Sequence, residues 1–360
     1  MNQKTETLLA RYLERLLPGA QVVRLTALGE EAATEDGADK AFGYGKPIRV
    51  ELRTADGETR KLVFHVAQPN SFGHDRRADR AEDAVLAFDT FGLIPNHAAA
   101  VDFGVMRPED MLSLRSAGEF FVITEYAEGE PYAHKLAEIG TRGGLLDKDL
   151  EQCDQLADYL STLHSKKIAG PDAYRRSIRD LVGHGEGIFG LVDNFPSDVA
   201  GASKERIDRL EAQCVQWRSR LRGREARLSR THGDFHPFNI LFSDEGALTL
   251  LDASRGCQGD PADDATCLAI NYLFFGLENS TPAAFRLLWT RFWGHYLAKS
   301  GDHDLLSIAP PFLAWRTLVL TNPVWYPNVT ETTREALLGL AESSLESGRL
   351  DPAAAAELLK

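Results

Sequence analysis

The chain has 360 residues, which favours one large domain or two medium ones, and its 43% apolar and 26% charged residues indicate a globular protein. The formal net charge of −13 argues against general binding to nucleic acids or anionic membranes, and leaves room for a cationic ligand or a metal-bound anion. Four widely spaced cysteines without a C-x-x-C pair argue against a disulfide framework or a zinc knuckle and favour a reducing compartment.

The first segment predicts an amphipathic helix from about Thr5, which ends before Pro18 and Gly19. Acidic and basic residues occur throughout it, which is not typical of a signal peptide. The longest apolar run, CLAINYLFFGL, is shorter than the roughly 20 residues that a membrane span needs. We therefore expect a cytoplasmic protein without a membrane partner.

Strand-like segments follow near residues 21–28, 48–53 and 61–67, and a polar, glycine-containing stretch separates the first two. A helix is predicted for 76–91, and two further strand-like segments, AAAVDFGVM and EFFVITEYA, come after it. EGEPYA then has the composition of a linker. These segments predict a five-stranded lobe with one helix, which we assign to residues 1–127.

Helical periodicity dominates the remaining residues, 128–360, with clear apolar faces over 146–163 and 207–221. We therefore predict an α+β, bilobal protein in which a small antiparallel-sheet lobe precedes a larger, mainly helical lobe. The one exception in the second lobe is a short hairpin. Its strands, near 240–242 and 248–251, flank the turn-rich segment SDEGA.

Polar side chains lie at the open end of this hairpin. Asn239 and Asp252 are equidistant from the centre of the turn, taken between Glu245 and Gly246, so we expect them to lie opposite each other. Asp234 comes five residues before Asn239 and can reach the same end. Carboxylate and amide oxygens suit Mg²⁺, and another carboxylate can orient a hydroxyl nucleophile. Phosphoryl transfer requires these parts.

The segment HGDFHPFN (232–239) resembles the H-G-D-x-x-x-x-N loop of the aminoglycoside phosphotransferase family, which is related to protein kinases. LLDASRGCQGDPADDATCLA (250–269) resembles the following segment of that family, in which a metal-binding aspartate precedes G-D-P-x-x-D. The resemblance implies a protein-kinase-like fold. It also implies that Asp234 is the catalytic aspartate, and that Asn239 and Asp252 bind Mg²⁺ beside the nucleotide phosphates.

Structural roles are expected for the neighbouring residues. His232 is predicted to brace the loop through backbone hydrogen bonds, and His236 is predicted to be a solvated loop histidine. Asp260, which resembles the G-D-P aspartate, fits an N-cap followed by proline. Asp263 and Asp264 then fall in the first turn of that helix, where the helix dipole favours acidic side chains.

The nucleotide side is predicted from the hairpin IRVELRTADGETRKLVFHVAQ. Placing its apolar residues on one face requires an odd-numbered loop, and a three-residue loop, 56–58, sets Arg49 opposite His65. In kinase-like lobes a small apolar residue of this strand contacts adenine, and a lysine two positions later binds the phosphates. Val63 and His65 occupy those places here, so a histidine replaces the lysine.

Another cation is expected to substitute for that lysine, with Arg49 as the first candidate and Lys46 as the second. Arg49 as an exposed cation paired with Glu51 or Asp56 remains an equal alternative. By the same resemblance, Glu82 takes the place of the acid that pairs with the lysine. Backbone groups from about Glu125 to Ala127 take the place of the hinge that binds adenine, and GADKAFGYGKP is a candidate loop over the phosphates.

Three functions remain open. The first is transfer of the γ-phosphoryl group of ATP or GTP, with Mg²⁺, to a hydroxyl of a small molecule, for which the acidic composition leaves room for a cationic acceptor. The second is a catalytically weak pseudokinase that senses a nucleotide or metabolite, which the missing lysine favours. The third is hydrolysis at a transition-metal site formed by His232, Asp234 and His236.

The acceptor itself is not specified by the sequence. Aromatic residues of the second lobe are candidates to line its pocket, although core packing is the alternative for most of them. They are Tyr272, Trp293, Trp325 and Tyr326.

Overall fold

The structure, a computed structural model, describes residues 3–28, 47–253 and 255–360 of the chain. It divides into two units, Met1–Thr124 and Glu125–Lys360. The lobe boundary after residue 127 stays a prediction. Lys46 and almost all of the candidate phosphate loop, GADKAFGYGKP, lie outside the described residues.

The first unit contains a three-stranded antiparallel sheet in the order β1-β2-β3. Apolar residues alternate along its central strand, so that Ile48, Val50 and Leu52 are buried on one face. They pack with the buried leucines of the first helix, as its apolar periodicity predicts. The elements are α1 (Gln3–Leu16), β1 (Gln21–Ala27), β2 (Ile48–Arg53), β3 (Thr59–Phe64), α2 (Arg77–Thr90), β4 (Gly104–Met106) and β5 (Met111–Ser113).

The register between β2 and β3 differs from the prediction. Arg49 pairs with Val63 and Glu51 with Lys61, so the prediction of His65 opposite Arg49 is wrong. The connection has five residues, 54–58, in which Thr54 N–H donates to the Glu58 carbonyl and Gly57 N–H donates to the Thr54 carbonyl. Five is also an odd number, so Val50 and Leu62 still share the apolar face.

The five-stranded first lobe is corrected in two respects. Within the described ranges, β4 and β5 pair with each other and with no other strand, and residues 104–106 are the part of the segment AAAVDFGVM that forms a strand. The segment EFFVITEYA forms no strand, and its apolar side chains are exposed, with Phe121 at 84%. The apolar composition of this segment therefore predicted a strand that the structure does not form.

The second unit is mainly helical. Its helices are α3 (Tyr132–Arg142), α4 (Asp147–His164), α5 (Pro171–Gly183), α6 (Ile188–Asp193), α7 (Lys204–Leu221), α8 (Pro261–Glu278), α9 (Pro282–Ser300), α10 (Leu305–Ile308), α11 (Pro310–Thr321), α12 (Glu331–Ser347) and α13 (Pro352–Ala356). Its short strands are β6 (Glu130–Pro131), β7 (Asp198–Val199), β8 (Ala202–Ser203), β9 (Ser229–Arg230), β10 (Ile240–Phe242), β11 (Leu248–Leu250) and β12 (Gln258–Gly259). The predicted α+β architecture, an antiparallel sheet followed by a mostly helical region, is confirmed.

One large hydrophobic core joins these helices. The apolar helix α8 lies within it, and α4, α9 and α11 each pack on α8. The hairpin β10–β11 is extended by β6, which forms from part of the predicted linker EGEPYA. Among the described residues, no helix combines the length and apolar character needed to cross a membrane.

Candidate active site

The loop between β9 and β10 carries the predicted catalytic residue. Its backbone is closed by two short-range hydrogen bonds, in which His236 N–H donates to the Asp234 carbonyl and Asn239 N–H donates to the His236 carbonyl, both at 2.9 Å. Residues Pro237–Asn239 form one turn of 3-10 helix with proline at its first position, where its missing N–H costs nothing. This closed loop places Asp234 just before the hairpin.

A buried aspartate of α8 holds the start of the loop. Asp264 accepts hydrogen bonds from the backbone N–H groups of His232 (2.7 Å) and Gly233 (2.8 Å). Gly233 has a φ of +83°, and a Cβ there would lie 3.3 Å from the Gly256 carbonyl oxygen, so glycine is the residue that fits. His232 Nδ1 accepts from Asp234 N–H at 3.3 Å, the kind of contact expected of a loop brace.

Asp264 is itself fixed by His164 of α4. Its Oδ2 lies 3.1 Å from His164 Nε2, and His164 Nδ1 lies 2.8 Å from the Tyr296 hydroxyl. Burial alone would raise the pKa of Asp264, but the bond to His164 and the two backbone N–H donors outweigh it and lower that pKa. An ionised carboxylate therefore anchors the loop. The sequence predicted for Asp264 only a favourable interaction with the helix dipole.

Asp260 occupies the N-cap of α8, with Pro261 at the first helical position. One of its oxygens accepts from Ala262 N–H at 3.0 Å. Arg227 forms two bonds to the carboxylate, at 2.8 and 3.0 Å, and two more to Asp302. Because Asp260 is only 1% exposed, this buried ion pair fixes the helix that carries Asp264.

Two arginines converge on one oxygen of Asp234. Oδ1 lies 2.9 Å from Arg316 Nη1 and 2.7 Å from Arg255 Nη1. Within the described part of the chain, Oδ2 accepts no hydrogen bond, and His236 Nε2 lies 3.7 Å from it. Burial would raise the pKa of Asp234, but the charges of Arg316 and Arg255 lower it. The carboxylate is thus ionised, fixed at Oδ1 and open at Oδ2.

Both arginines also contact Trp315. The guanidinium carbon of Arg316 lies 3.8 Å from the centre of the indole ring, and that of Arg255 lies 5.0 Å from it. Arg316 Nη2 donates to the Gly233 carbonyl (2.9 Å) and to Asp263 Oδ1 (2.5 Å). Burial raises the pKa of Asp263 to about 6.

Sequence reasoning missed both arginines. The signal for Arg316 is a single charged residue within the apolar helix PPFLAWRTLVLT, where a buried charge needs a partner. For Arg255 the signal is its place three residues after Asp252, within the second segment of the family resemblance.

His236 is not the solvated histidine that was predicted. Its side chain is 32% exposed and lies beside Asp234, and its Nδ1 accepts from Phe238 N–H at 3.2 Å. Burial lowers its pKa, and the Arg316 and Arg255 charges add to that effect, against the opposing charge of Asp234. At neutral pH the ring is therefore neutral, with a proton on Nε2 beside the Asp234 carboxylate.

The hairpin register differs by one residue from the prediction. Ile240 pairs with Leu250, and Leu251 N–H donates to the Asn239 carbonyl, so Leu251 rather than Asp252 lies opposite Asn239. The physical reason is a five-residue connection, 243–247, centred on Glu245. Asp252 comes directly after this pair and adopts a left-handed φ of +53°, which turns the chain out of the hairpin.

The donor atoms at this end of the hairpin suit Mg²⁺. The Asn239 amide nitrogen donates to the Asp234 carbonyl at 3.1 Å, which leaves Oδ1 as the atom that could bind a cation. Asp252 is exposed and forms no ion pair with any other described residue. An amide oxygen and an unpaired carboxylate are hard donors that fit the ion.

The transition-metal alternative finds less support. Nδ1 of His232 and Nδ1 of His236 each accept a backbone hydrogen bond. No group of three or more histidine, cysteine or acidic side chains in the described ranges has the arrangement of a metal site.

The nucleotide-side candidates lie in both units. In the first unit, Val63 is 62% exposed, and His65 is exposed immediately after β3. Arg49 forms an ion pair with Glu51 at 3.4 Å, which is the alternative role considered for it. Glu82 is exposed on α2.

The predicted hinge residues begin the second unit. Glu125 is exposed and Ala127 is partly buried, and neither belongs to a strand. The structure does not place these residues in an adenine site.

The aromatic candidates separate into two groups. Tyr272 (0% exposed) and Trp293 (2%) belong to the core. Trp325 is 65% exposed, and Tyr326 packs edge-on against Phe274, with its pKa raised to about 12, chiefly by burial.

Comparison with known proteins adds a family match. The family model described as "Phosphotransferase enzyme family" matches residues 56–298, about two thirds of the chain. No curated protein matches the sequence.

Several solved structures are similar to this chain. An aminoglycoside-3'-phosphotransferase of type VIII is 19% identical with a TM-score of 0.37, and the match covers 87% of this chain and 99% of that one. A choline kinase from Cryptosporidium parvum Iowa II is 11% identical with a TM-score of 0.34, covering 99% and 93% of the two chains. A choline kinase from Streptococcus pneumoniae is 15% identical with a TM-score of 0.37, covering 95% and 99%. Values this low do not bear on the activity of the chain.

Proposed function

Because this chain belongs to the phosphotransferase enzyme family, we propose that it moves the γ-phosphoryl group of ATP or GTP to a hydroxyl group of a small molecule in a Mg²⁺-dependent reaction. The α+β, kinase-like fold expected from the sequence is confirmed by this membership. Within the proposal, residues 1–127 bind the nucleotide and residues 128–360 carry out catalysis and bind the acceptor.

One observation carries the proposal, which is the state of the Asp234 carboxylate. Arg316 and Arg255 hold Oδ1 and keep the carboxylate ionised, whereas Oδ2 accepts no hydrogen bond within the described residues. Oδ2 would accept the hydrogen bond of the acceptor hydroxyl and orient its oxygen for in-line attack. Because phosphoryl transfer proceeds through a loose transition state, such positioning contributes more than strong basicity.

Asn239 Oδ1 and the Asp252 carboxylate would hold Mg²⁺. The ion would neutralise the negative charge of the nucleotide phosphates. The Asn239 amide also donates to the Asp234 carbonyl, so the metal ligand and the catalytic residue are connected through one hydrogen bond.

A phosphoryl-acceptor screen with purified protein and both nucleotides tests the proposal. We expect Mg²⁺-dependent transfer to at least one hydroxyl compound, and a loss on the order of 10²-fold or more in Asp252→Asn. Asp244→Asn is the matched control, because Asp244 is an exposed acid in the turn of the same hairpin. Equal turnover in Asp252→Asn and the parent protein would rule out the metal-ligand role.

The nucleotide sensor stays as a second candidate because His65 replaces the expected lysine, and Arg49 is already paired with Glu51. A sensor would be stabilised by ATP and Mg²⁺ in a thermal-shift measurement, without hydrolysis or transfer across the same screen. Slow ATP hydrolysis that Asp252→Asn abolishes would favour the enzyme over the sensor.

A further inference from the structure

We propose that the acceptor carries an anionic group, a carboxylate or a phosphate, beside its reacting hydroxyl, and that Arg255 binds this group with the support of Arg316. The proposal rests on the proposed phosphotransferase function and specifies its acceptor. It replaces the expectation of a cationic acceptor, which came from the net charge of the chain.

The side chains next to Asp234 can bind an anionic group. A guanidinium group presents donors in a planar fork that matches carboxylate and phosphate oxygens. Two of these groups lie within 2.9 Å of the same Asp234 oxygen, and Trp315 contacts both of them. An acceptor anion bound directly on Arg255 would meet a guanidinium of opposite charge, whereas an amine there would meet a like charge.

The charged side chains of the site differ in their exposure to solvent. Side-chain exposure falls from 59% at Glu186 to 28% at Arg255, then to 14% at Asp234 and 6% at Arg316. Arg255 is therefore the accessible cation, and Arg316 is the buried one that fixes the catalytic carboxylate. Because Arg255 Nη1 lies 2.7 Å from Asp234 Oδ1, an anion bound on Arg255 would place a neighbouring hydroxyl close to the Asp234 carboxylate.

A carboxylate of the chain itself already binds Arg255. Glu186 Oε2 lies 3.0 Å from Arg255 Nε. The Glu186 backbone is held in place, because its carbonyl accepts a hydrogen bond from Trp315 Nε1 at 2.9 Å. The next residue, Gly187, packs so closely against α5 that a Cβ there would lie only 2.4 Å from the Asp180 carbonyl oxygen. The exposed side chain can leave while its backbone stays.

Exchange of Glu186 for an acceptor anion conserves charge at the site. Arg255 keeps its ion pair with Asp234 and replaces one carboxylate partner by another. A neutral or cationic acceptor offers no such replacement. The side chain of Glu186 thus competes with anionic acceptors and not with others.

The experiment uses sets of acceptors that share a hydroxylated carbon chain but differ at one end, which carries a carboxylate, a hydroxyl or an amine. Glycerate, glycerol and 3-amino-1,2-propanediol form one set, and gluconate, glucitol and glucamine form another. Glycerol 3-phosphate and glucose 6-phosphate distinguish phosphate from carboxylate. Binding is followed by tryptophan fluorescence, since Trp315 contacts both arginines, and transfer is followed with ATP, GTP and Mg²⁺.

We expect the anionic member of a set to bind at least 10-fold more tightly than its neutral and amine partners. Arg255→Gln should remove that preference, by weakening binding of the anionic compounds at least 10-fold more than binding of the neutral ones, and Glu186→Gln should strengthen anion binding severalfold. Arg175→Gln is the matched control, because Arg175 also pairs with an acid, Glu225, away from this site.

Preference for the neutral or amine compounds, an equal loss for all compounds in Arg255→Gln, or no binding of any anionic compound would each overturn the inference. Mg²⁺-dependent nucleotide hydrolysis, measured without acceptor, distinguishes a failure of the acceptor assignment from a failure of the proposed function. If hydrolysis occurs and the anion preference does not, the acceptor assignment alone is wrong. If the protein neither hydrolyses nor transfers phosphoryl groups with any compound, the proposed function is wrong.

Discussion

Replacing Asp264 by asparagine tests the anchor of the catalytic loop. Asp264 is fully buried and accepts hydrogen bonds from His232 N–H and Gly233 N–H through different oxygens. Asparagine has one oxygen and one NH₂ group, so whichever way the amide lies, one backbone N–H faces another donor. The variant therefore loses at least one hydrogen bond to a charged acceptor and leaves a buried donor without a partner.

Each of those losses costs about 1.5–3 kcal/mol, so we expect about 3 kcal/mol less stability for the second unit. For a unit of this size that corresponds to a fall in melting temperature of roughly 6–12 °C. All five tryptophans, at positions 217, 289, 293, 315 and 325, belong to this unit. Urea unfolding followed by tryptophan fluorescence therefore reports on it selectively.

The pH dependence provides a second readout. The pKa of Asp264 is lowered in the folded state, so its contribution is complete above its unfolded value of about 3.9 and is lost as pH falls through the folded value. The difference between the parent protein and Asp264→Asn should thus shrink in acid. Asp244→Asn is the matched control, because Asp244 is an exposed acid of the same unit. A change below about 1 kcal/mol in Asp264→Asn at pH 7 would refute the reasoning.

Three further predictions follow from the same region. Asp260→Ala should cost about 3–5 kcal/mol in urea unfolding, because it removes the cap of α8 and one partner of the buried Arg227; a loss under 1 kcal/mol would contradict that role. Gly233→Ala should cost about 1–3 kcal/mol and slow phosphoryl transfer, since φ is +83° there; unchanged transfer would show that the loop tolerates the shift. The pKa of His236 is lowered, so the folded state binds fewer protons and stability should fall as pH drops below about 6.5. His236→Asn should reduce the difference between urea midpoints at pH 7.5 and 5.5, and an unchanged difference would exclude His236 as its source.

The elements with strong local signals were predictable from the sequence. α1 and α2 agree with the predicted helices within about two residues, because apolar periodicity and chain-breaking residues define helices locally. The position of the hairpin β10–β11 was predictable for the same reason, since turn residues separate two apolar segments.

Strand register was not predictable, and the predicted registers of both hairpins were wrong for one physical reason. Each closes with a five-residue loop in which the first N–H donates to the fifth carbonyl, Thr54 to Glu58 and Ser243 to Ala247. The fourth residue, Gly57 or Gly246, has a positive φ in both. The sequences TADGE and SDEGA show that a turn is present, but not which residues still pair on either side.

Long-range contacts at the candidate site were also beyond the sequence. Arg316 reaches Asp234 across 82 positions, and His164 reaches Asp264 across 100. Only the packing of α4, α8 and α11 brings these side chains together. The motif predicts which residues would carry the proposed chemistry, whereas the packing determines the charges around them.

Single-turnover transfer of label from γ-³²P-ATP or γ-³²P-GTP to an acceptor, in the parent protein and in Asp234→Asn, tests the central claim most directly. Asn keeps the size of the side chain and an oxygen for Arg316, but it removes the charge that would orient the acceptor hydroxyl. We expect Mg²⁺-dependent transfer by the parent protein. In Asp234→Asn, with an unchanged fluorescence spectrum, we expect a rate that is lower by a factor on the order of 10² or more. Equal rates in the two proteins would contradict it.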